Sequence, residues 1–455
     1  MSDNTTPATR KKVPTALLFD ILFISVTLLV GLLFLNQTVG LILKRTTVWA
    51  QHNSVFEHLD FVSFYACGMM ILKGQAKDIY DIGAQLAAYN AVISPASVPY
   101  TNFLQHVPYV FVFLPLLALL PLRTAYLAWS AFSALCALVG TYTFRKLNNA
   151  GKLDTLLLGL IMLSSLPGNF CLLDGQLSWF YFALLSVYCL SFLKNHHTIC
   201  GISLALLSIK PQYFLFLLVP QIVLKQKKTL LVTACTIAAL IALACVFVGW
   251  ENVLRYPQVL WHGESTEHFA LERPKTMISV RSVMSILFPN KTALIGCFLF
   301  ELLGLGLTIF AWKKARSNTS NQTSDSTYKR DCLIFTLLIT LVVSAHFYLY
   351  EGVLLAAPLL LALPSWRPSV CMAAGRKESP NKSVLYLLLL LFPLANMTIL
   401  LATPAVASII LPQAILDATE DNGIKGNLLM YVALFAYNVA IAAASAHVVF
   451  GRKSS

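Results

Sequence analysis

From Leu17 to Phe450 the chain alternates long apolar blocks with short polar segments. Many blocks come near the roughly 20 residues that an α-helix needs to cross about 30 Å of hydrocarbon. They do not show the apolar/polar alternation over about ten positions that marks an outer-membrane strand. The pattern predicts an all-α polytopic membrane protein of about 12 transmembrane helices. The first block, Thr15 to Leu43, is longer than the core of a signal peptide and has no small-residue cleavage site, so it reads as a retained first helix. Two blocks are irregular. Pro108 to Pro121 is apolar but carries Pro108, Pro115 and Pro121, which suggests a re-entrant segment, or one paired with the short apolar run Phe61 to Leu72. Ile199 to Leu224 is interrupted by Lys210-Pro211 and reads as two short helices meeting at Lys210. Such breaks are tolerated at membrane depth only where the backbone is buried or lines a cavity.

Composition sharpens this picture. Hydrophobic residues make up 57% of the 455 positions and charged residues 12%, about half the roughly 25% charge of a soluble chain. Mean hydropathy is +0.72, and a soluble globular protein is excluded. The net charge of +13 does not point to nucleic acid here, because basic residues in a membrane protein report orientation. With Arg10, Lys11 and Lys12 in the cytoplasm, 21 basic residues fall in cytoplasmic loops and 11 outside, Lys210 being unassigned. That bias predicts cytoplasmic N- and C-termini and a large first extracytoplasmic loop from Lys44 to His106. The ten cysteines lie mostly inside apolar blocks without CxxC or His/Cys ligand spacing, and read as small buried residues. No soluble domain is expected. Residues 1–455 form one integral-membrane domain with a catalytic core from about 15 to 365 and C-terminal helices from about 383 to 450.

Several polar residues are not explained by membrane insertion alone. Asp60 stands among Leu59, Phe61, Phe64 and Tyr65 at the membrane border, where desolvation would raise a carboxylate pKa and suit it to general-base work; a solvated loop carboxylate is the plainer reading. Asp174-Gly175-Gln176 falls at an expected helix start, with Asp174 as N-cap and Gln176 needing a hydrogen-bonded partner. Lys210 is ionisable within a membrane segment, a functional-site hypothesis by default whose natural partner is a phosphate. The external stretch 251–291 mixes Arg255, His262, Glu264 and Arg281 with Trp250, Tyr256 and Trp261, a composition shared by headgroup or sugar contacts and by an aromatic belt. Ser344 to Glu351 (SAHFYLYE) sits between two apolar blocks, where a short turn could aim both His346 and Glu351 at one cavity.

The order of these motifs resembles a known family. Asp60-Phe61 with Phe64-Tyr65, Gly74 to Asp81, Val107-Pro108-Tyr109, Gly175-Gln176, Lys210-Pro211 and Ser344 to Glu351 together resemble the polyprenyl-phosphate-mannose-dependent mannosyltransferases of glycosyltransferase family 87, in the GT-C structural class. The usual Tyr-Pro-Pro is Val107-Pro108-Tyr109 here, and Glu351 stands where an aspartate is expected. The resemblance implies transfer of a hexose, mannose by analogy, from a polyprenyl phosphate sugar to a lipid or glycan hydroxyl on the extracytoplasmic face of a bacterial inner membrane. In that scheme Asp60 is the catalytic base and His346 a catalytic helper. Lys210 and Arg281 hold the donor phosphate, and Tyr65, Gln176, Tyr348 and Glu351 contact substrate.

One carboxylate base with direct displacement predicts inversion at the anomeric carbon. No cofactor or metal is expected, and the partners are donor, acceptor and membrane lipids, with no nucleic acid. The competing classes are a transporter or flippase for lipid-linked saccharides, which should show internal repeats, and a non-catalytic membrane subunit, which would not need Asp60, Lys210 and His346.

Overall fold

The computed structural model describes residues 15–47, 56–57, 59–99, 103–148, 159–160, 162–163, 165–265, 277–317, 322–362 and 427–450. Among them the chain is helical, and one isolated antiparallel bridge joins Met277 to Tyr348. The first part comprises α1 (Thr15–Thr46), α2 (Asp60–Leu72), α3 (Ile82–Ile93), α4 (Leu114–Ala118), α5 (Leu122–Asn148), α6 (Leu166–Asp174) and α7 (Ser178–Leu193). The second comprises α8 (His197–Leu207), α9 (Pro211–Val223), α10 (Lys227–Val248), α11 (Trp250–Ser265), α12 (Val280–Leu287), α13 (Asn290–Ser317), α14 (Gln322–Val343), α15 (Ala356–Ala362) and α16 (Asn427–Phe450). Short 3-10 turns cover Ala76–Asp78, Pro108–Val110 and Leu349–Leu355.

Among the described residues three helices, Leu122–Leu147, Lys227–Val248 and Lys291–Ser317, are long and apolar enough to cross a membrane. The pair Pro167–Asp174 and Ser178–Leu193 would make a fourth span, bent by 120° at its break. Many large apolar side chains on α10 and α13 face outward, among them Leu231, Val246, Ile295, Phe298, Leu299 and Phe310. In water that surface would be a liability; against lipid tails it is the expected one. The chain is an integral-membrane protein. Of the C-terminal helical region expected from about 383 to 450, residues 383–426 lie outside the described residues.

Both irregular blocks break where their sequence indicates. Pro108 to Ala118 folds as a 3-10 turn followed by the five-residue α4, too short for a crossing, and α4 packs on α2. The approach is close enough for the Leu114 carbonyl to occupy the space where Gly68 would carry a Cβ. α8 stops at Leu207, Lys210 is extended (φ −116°, ψ 98°), and Pro211 opens α9. Proline fits there because its missing N–H would be unsatisfied in a first turn anyway.

Seven of the nine cysteines among the described residues are buried. Gln322 to Tyr328 forms the first turns of α14.

Candidate active site

The site is assembled where helices break. Around the first break, α6 ends at Asp174, Gly175 takes the left-handed conformation (φ 71°), and α7 begins at Ser178 with Leu177 as its N-cap. Asp174 therefore closes a helix and does not cap the next one; the expected N-cap role fails because the glycine after it supplies the C-cap turn. Glycine is required at 175 for two reasons. Its φ is positive, and a Cβ would stand 2.5 Å from that of Phe61. The carbonyls left over at the end of α6 are satisfied by other elements: Tyr126 Oη donates to Leu173 O at 2.8 Å and Trp129 Nε1 to Gly175 O at 2.7 Å. Held in this way, Gln176 Nε2 donates to Asp60 Oδ2. Asp60 lies in the first turn of α2, where an anionic side chain is favoured by the helix dipole. The Asp60-Phe61 and Gly175-Gln176 motifs, 116 residues apart, thus become one unit.

Lys210 forms the second unit. Its ammonium pairs with Glu351, which has no exposed surface, while the lysine side chain is only 13% exposed. The ammonium also lies 5.2 Å from the ring centre of Tyr181 and 5.9 Å from that of Tyr213. The two units meet because α6, whose C-terminal turn carries Gln176 to Asp60, packs on the 3-10 turn that carries Glu351. Cys171 Sγ contacts Gln176 O at 3.4 Å, and His106 stacks on Phe64, one turn along α2 from Asp60, with ring centres 5.6 Å apart. Burial, aided by the Lys210 charge, pushes the His106 pKa down to about 3.

The segment 345–348 between α14 and the 3-10 turn is irregular, and its backbone is pinned by successive partners. Ala345 N–H donates to Glu301 Oε1 at 2.8 Å, and His346 O accepts from Gln212 Nε2 at 3.4 Å. Phe347 O accepts from Ile278 N at 2.7 Å, and Tyr348 N–H donates to Glu351 Oε2 at 3.0 Å. Irregular backbone at membrane depth needs this complete accounting. Glu351 serves both structures, holding Tyr348 with one oxygen and Lys210 with the other.

Not every expected residue joins this cluster. The Tyr65 hydroxyl donates to Leu120 O at 2.8 Å, and its ring lines a separate cleft of about 520 Å³ with Met69, Lys73 and Asp78. Tyr348 stacks on Tyr350 with ring centres 5.5 Å apart. Arg281 is buried at the start of α12 and is brought near the His346 segment by the Ile278–Phe347 bond. His262 and Glu264 have no described side chains, and Glu267 to Lys275 lie outside the described residues. Sequence reasoning did not single out His106, Cys171, Tyr181, Gln212 or Tyr213 as site residues. Cys171, Tyr181 and Tyr213 sit in apolar runs, whereas His106 adjoins Val107-Pro108-Tyr109 and Gln212 adjoins Lys210-Pro211. Among the described residues no three His, Cys, Asp or Glu side chains group as metal ligands.

In chemical terms the site offers a carboxylate held by an amide, and a cation set between a carboxylate and two aromatic rings. The sequence model of glycosyltransferase family 87 matches residues 103–345 of the chain. No curated protein and no solved structure matches it significantly.

Proposed function

Since the chain belongs to glycosyltransferase family 87, and is thus a membrane glycosyltransferase acting on a sugar donor and an acceptor, we propose that it transfers a hexose, mannose by family analogy, from a polyprenyl phosphate sugar to a lipid or glycan hydroxyl. Asp60 takes the proton of the acceptor hydroxyl as its oxygen attacks the anomeric carbon. The carbon–oxygen bond to phosphate breaks on the opposite face, and polyprenyl phosphate leaves as an anion beside Lys210. A single displacement of this kind inverts the anomeric centre. Gln176 fixes the orientation of the base, and the pinned 345–348 segment presents His346 to the sugar.

One observation carries this reading. The Asp60–Gln176 bond and the Lys210–Glu351 pair sit on elements that pack on each other, α6 and the 3-10 turn 349–355, which supports one substrate meeting both a base and a phosphate-binding cation. The positive-inside bias supports cytoplasmic termini and an extracytoplasmic site, the apolar blocks support about twelve crossings, and the family resemblance supports a bacterial inner-membrane location. A lipid-linked donor suits that side, where nucleotide sugars are lacking.

The test is transfer of radiolabelled mannose from polyprenyl phosphate mannose to a membrane lipid extract by the purified protein in proteoliposomes. Asp60→Asn keeps the shape and most of the hydrogen bonding, and should lower the rate by about 10² to 10⁴ while the protein still binds donor, because a positioned base contributes about that much. Transfer by Asp60→Asn at the wild-type rate would remove Asp60 from the base role.

A further inference from the structure

Lys210 is surrounded by more donor capacity than the Glu351 pair uses. Tyr181 and Tyr213 are 1% and 2% exposed, and among the described residues neither phenol hydroxyl has a hydrogen-bond partner. Their neighbours differ. Tyr80 Oη donates to His106 O at 2.7 Å, and Tyr109 Oη shares a 2.5 Å hydrogen bond with Ser208 Oγ. Tyr181 and Tyr213 flank the same ammonium, and Ser208, which bonds Tyr109, lies two residues before Lys210, so bonded and unbonded phenols share one neighbourhood. Two adjacent buried hydroxyls without partners are unusual, because desolvating a hydroxyl without a replacement bond is unfavourable. The two rings belong to α7 and α9, whose first turns carry N–H groups without a side-chain cap. The two rings beside the ammonium thus carry hydroxyl donors that have found no acceptor among the described residues.

We propose that Tyr181 and Tyr213 donate hydrogen bonds to the non-bridging phosphoryl oxygens of the lipid-linked donor that Lys210 neutralises. This rests on the donor assignment made above and extends it to two residues outside the motifs. The chemistry is selective for an anion: a phenol and an ammonium can both donate, and only a group rich in acceptors satisfies them together. An ammonium has three N–H donors, so Lys210 can keep Glu351 while a phosphoryl group enters on the tyrosine side. The hydroxyls would then be partnered only in the bound state.

Tyr181→Phe and Tyr213→Phe delete the hydroxyls and keep both rings over the ammonium. In proteoliposomes, binding of radiolabelled polyprenyl phosphate, which carries no sugar, should weaken on the order of ten- to a hundredfold in each variant, as expected for one hydrogen bond to a charged group. The melting temperature without ligand should stay the same or rise, since each change removes an unpartnered polar group. The KM for the sugar donor should rise in the same proportion as the polyprenyl phosphate Kd, with kcat nearly unchanged. Wild-type binding by both variants, or a marked fall in melting temperature, would overturn the proposal by assigning the hydroxyls to structure. A raised donor KM with an unchanged polyprenyl phosphate Kd would place the phenols on the sugar and overturn the phosphoryl assignment. Competition by inorganic phosphate at concentrations equal to those of the lipid would overturn the lipid-linked source. The binding measurement needs no transfer, so absent wild-type transfer with intact, tyrosine-dependent binding would reject the catalytic reading and not this one.

Discussion

Replacing Lys210 by methionine removes a charge while keeping most of the side-chain volume, and the structure sets the size of the effect. Its partner Glu351 has no exposed surface and the lysine is 13% exposed, so neither charge is well solvated. Removing one member of such a pair leaves the other buried and uncompensated, at a cost of about 3 to 5 kcal/mol. The melting temperature should fall by roughly 3 to 5 °C. A second change, Glu351→Gln, removes the stranded charge and retains a carbonyl oxygen for the Tyr348 N–H. Replacing both members of a buried pair by neutral groups is often close to neutral, so the double variant should regain most of the lost stability. Activity should not return with it. The phosphate-facing cation is absent in both variants, and charge-assisted bonds of about 1.5 to 3 kcal/mol correspond to roughly a ten- to hundredfold loss of transfer efficiency. The assay pairs thermal unfolding in detergent with mannosyl transfer in proteoliposomes, for wild type, both single variants and the double. A double variant that transferred sugar at the wild-type rate would refute the phosphate role of Lys210. A Lys210→Met variant that melted like wild type would refute the stability argument.

Three further outcomes follow from other contacts. Glu301→Leu leaves the Ala345 N–H without its acceptor, a loss of about 1 to 3 kcal/mol where the group is buried, and should depress transfer, whereas Glu301→Gln keeps a carbonyl acceptor and should restore it; equal activity of the two variants would show that this contact does not position the His346 segment. His106 has its pKa depressed from 6.5 to about 3, so the unfolded chain binds the extra proton between those values, and the stability from the neutral imidazole is complete above about pH 6.5 and lost as pH falls toward about 3. His106→Phe should flatten that part of the melting-temperature profile, and an unchanged slope would assign it to other groups. On a Cys-free background, Asp81→Cys should react with an impermeant thiol reagent on intact cells and Lys228→Cys only after permeabilisation, and the opposite result would reverse the assigned orientation.

The helix breaks were legible because they rest on local chemistry. A proline after a lysine inside an apolar block ends one helix and opens another, and three prolines within fourteen residues (108–121) prevent a crossing. The Asp60 and Lys210 candidates were legible for a related reason, since a charge inside or beside an apolar run needs an explanation. The partners were not legible. Gln176 meets Asp60 across 116 residues because a glycine turn packs on Phe61, and no spacing rule connects those positions. Tyr181 and Tyr213 lie in apolar runs where an aromatic residue is ordinary, and only the fold reveals that their rings flank the same ammonium. Tyr65 shows the reverse case. It adjoins the Asp60 motif in sequence, yet its position on α2 turns its hydroxyl toward the Leu120 carbonyl.

A continuous helix satisfies its own backbone and presents only side chains, so inside a bilayer it has little means of fixing a polar group in place. A break reverses this. It frees N–H and C=O groups that must find partners, and the same side chains that satisfy them can also orient a reacting group. Glu351 does both by accepting from Tyr348 and pairing with Lys210, and Gln212, next to the break at Lys210, donates to the His346 carbonyl. The Trp129 bond to Gly175 O holds the turn that carries Gln176 to Asp60. Structural satisfaction of the breaks and placement of the chemistry are consequently the same set of contacts. A substitution that disturbs one break should reduce stability and catalysis together. Changes on the lipid-facing sides of α10 and α13 should leave both intact as long as the apolar surface is kept.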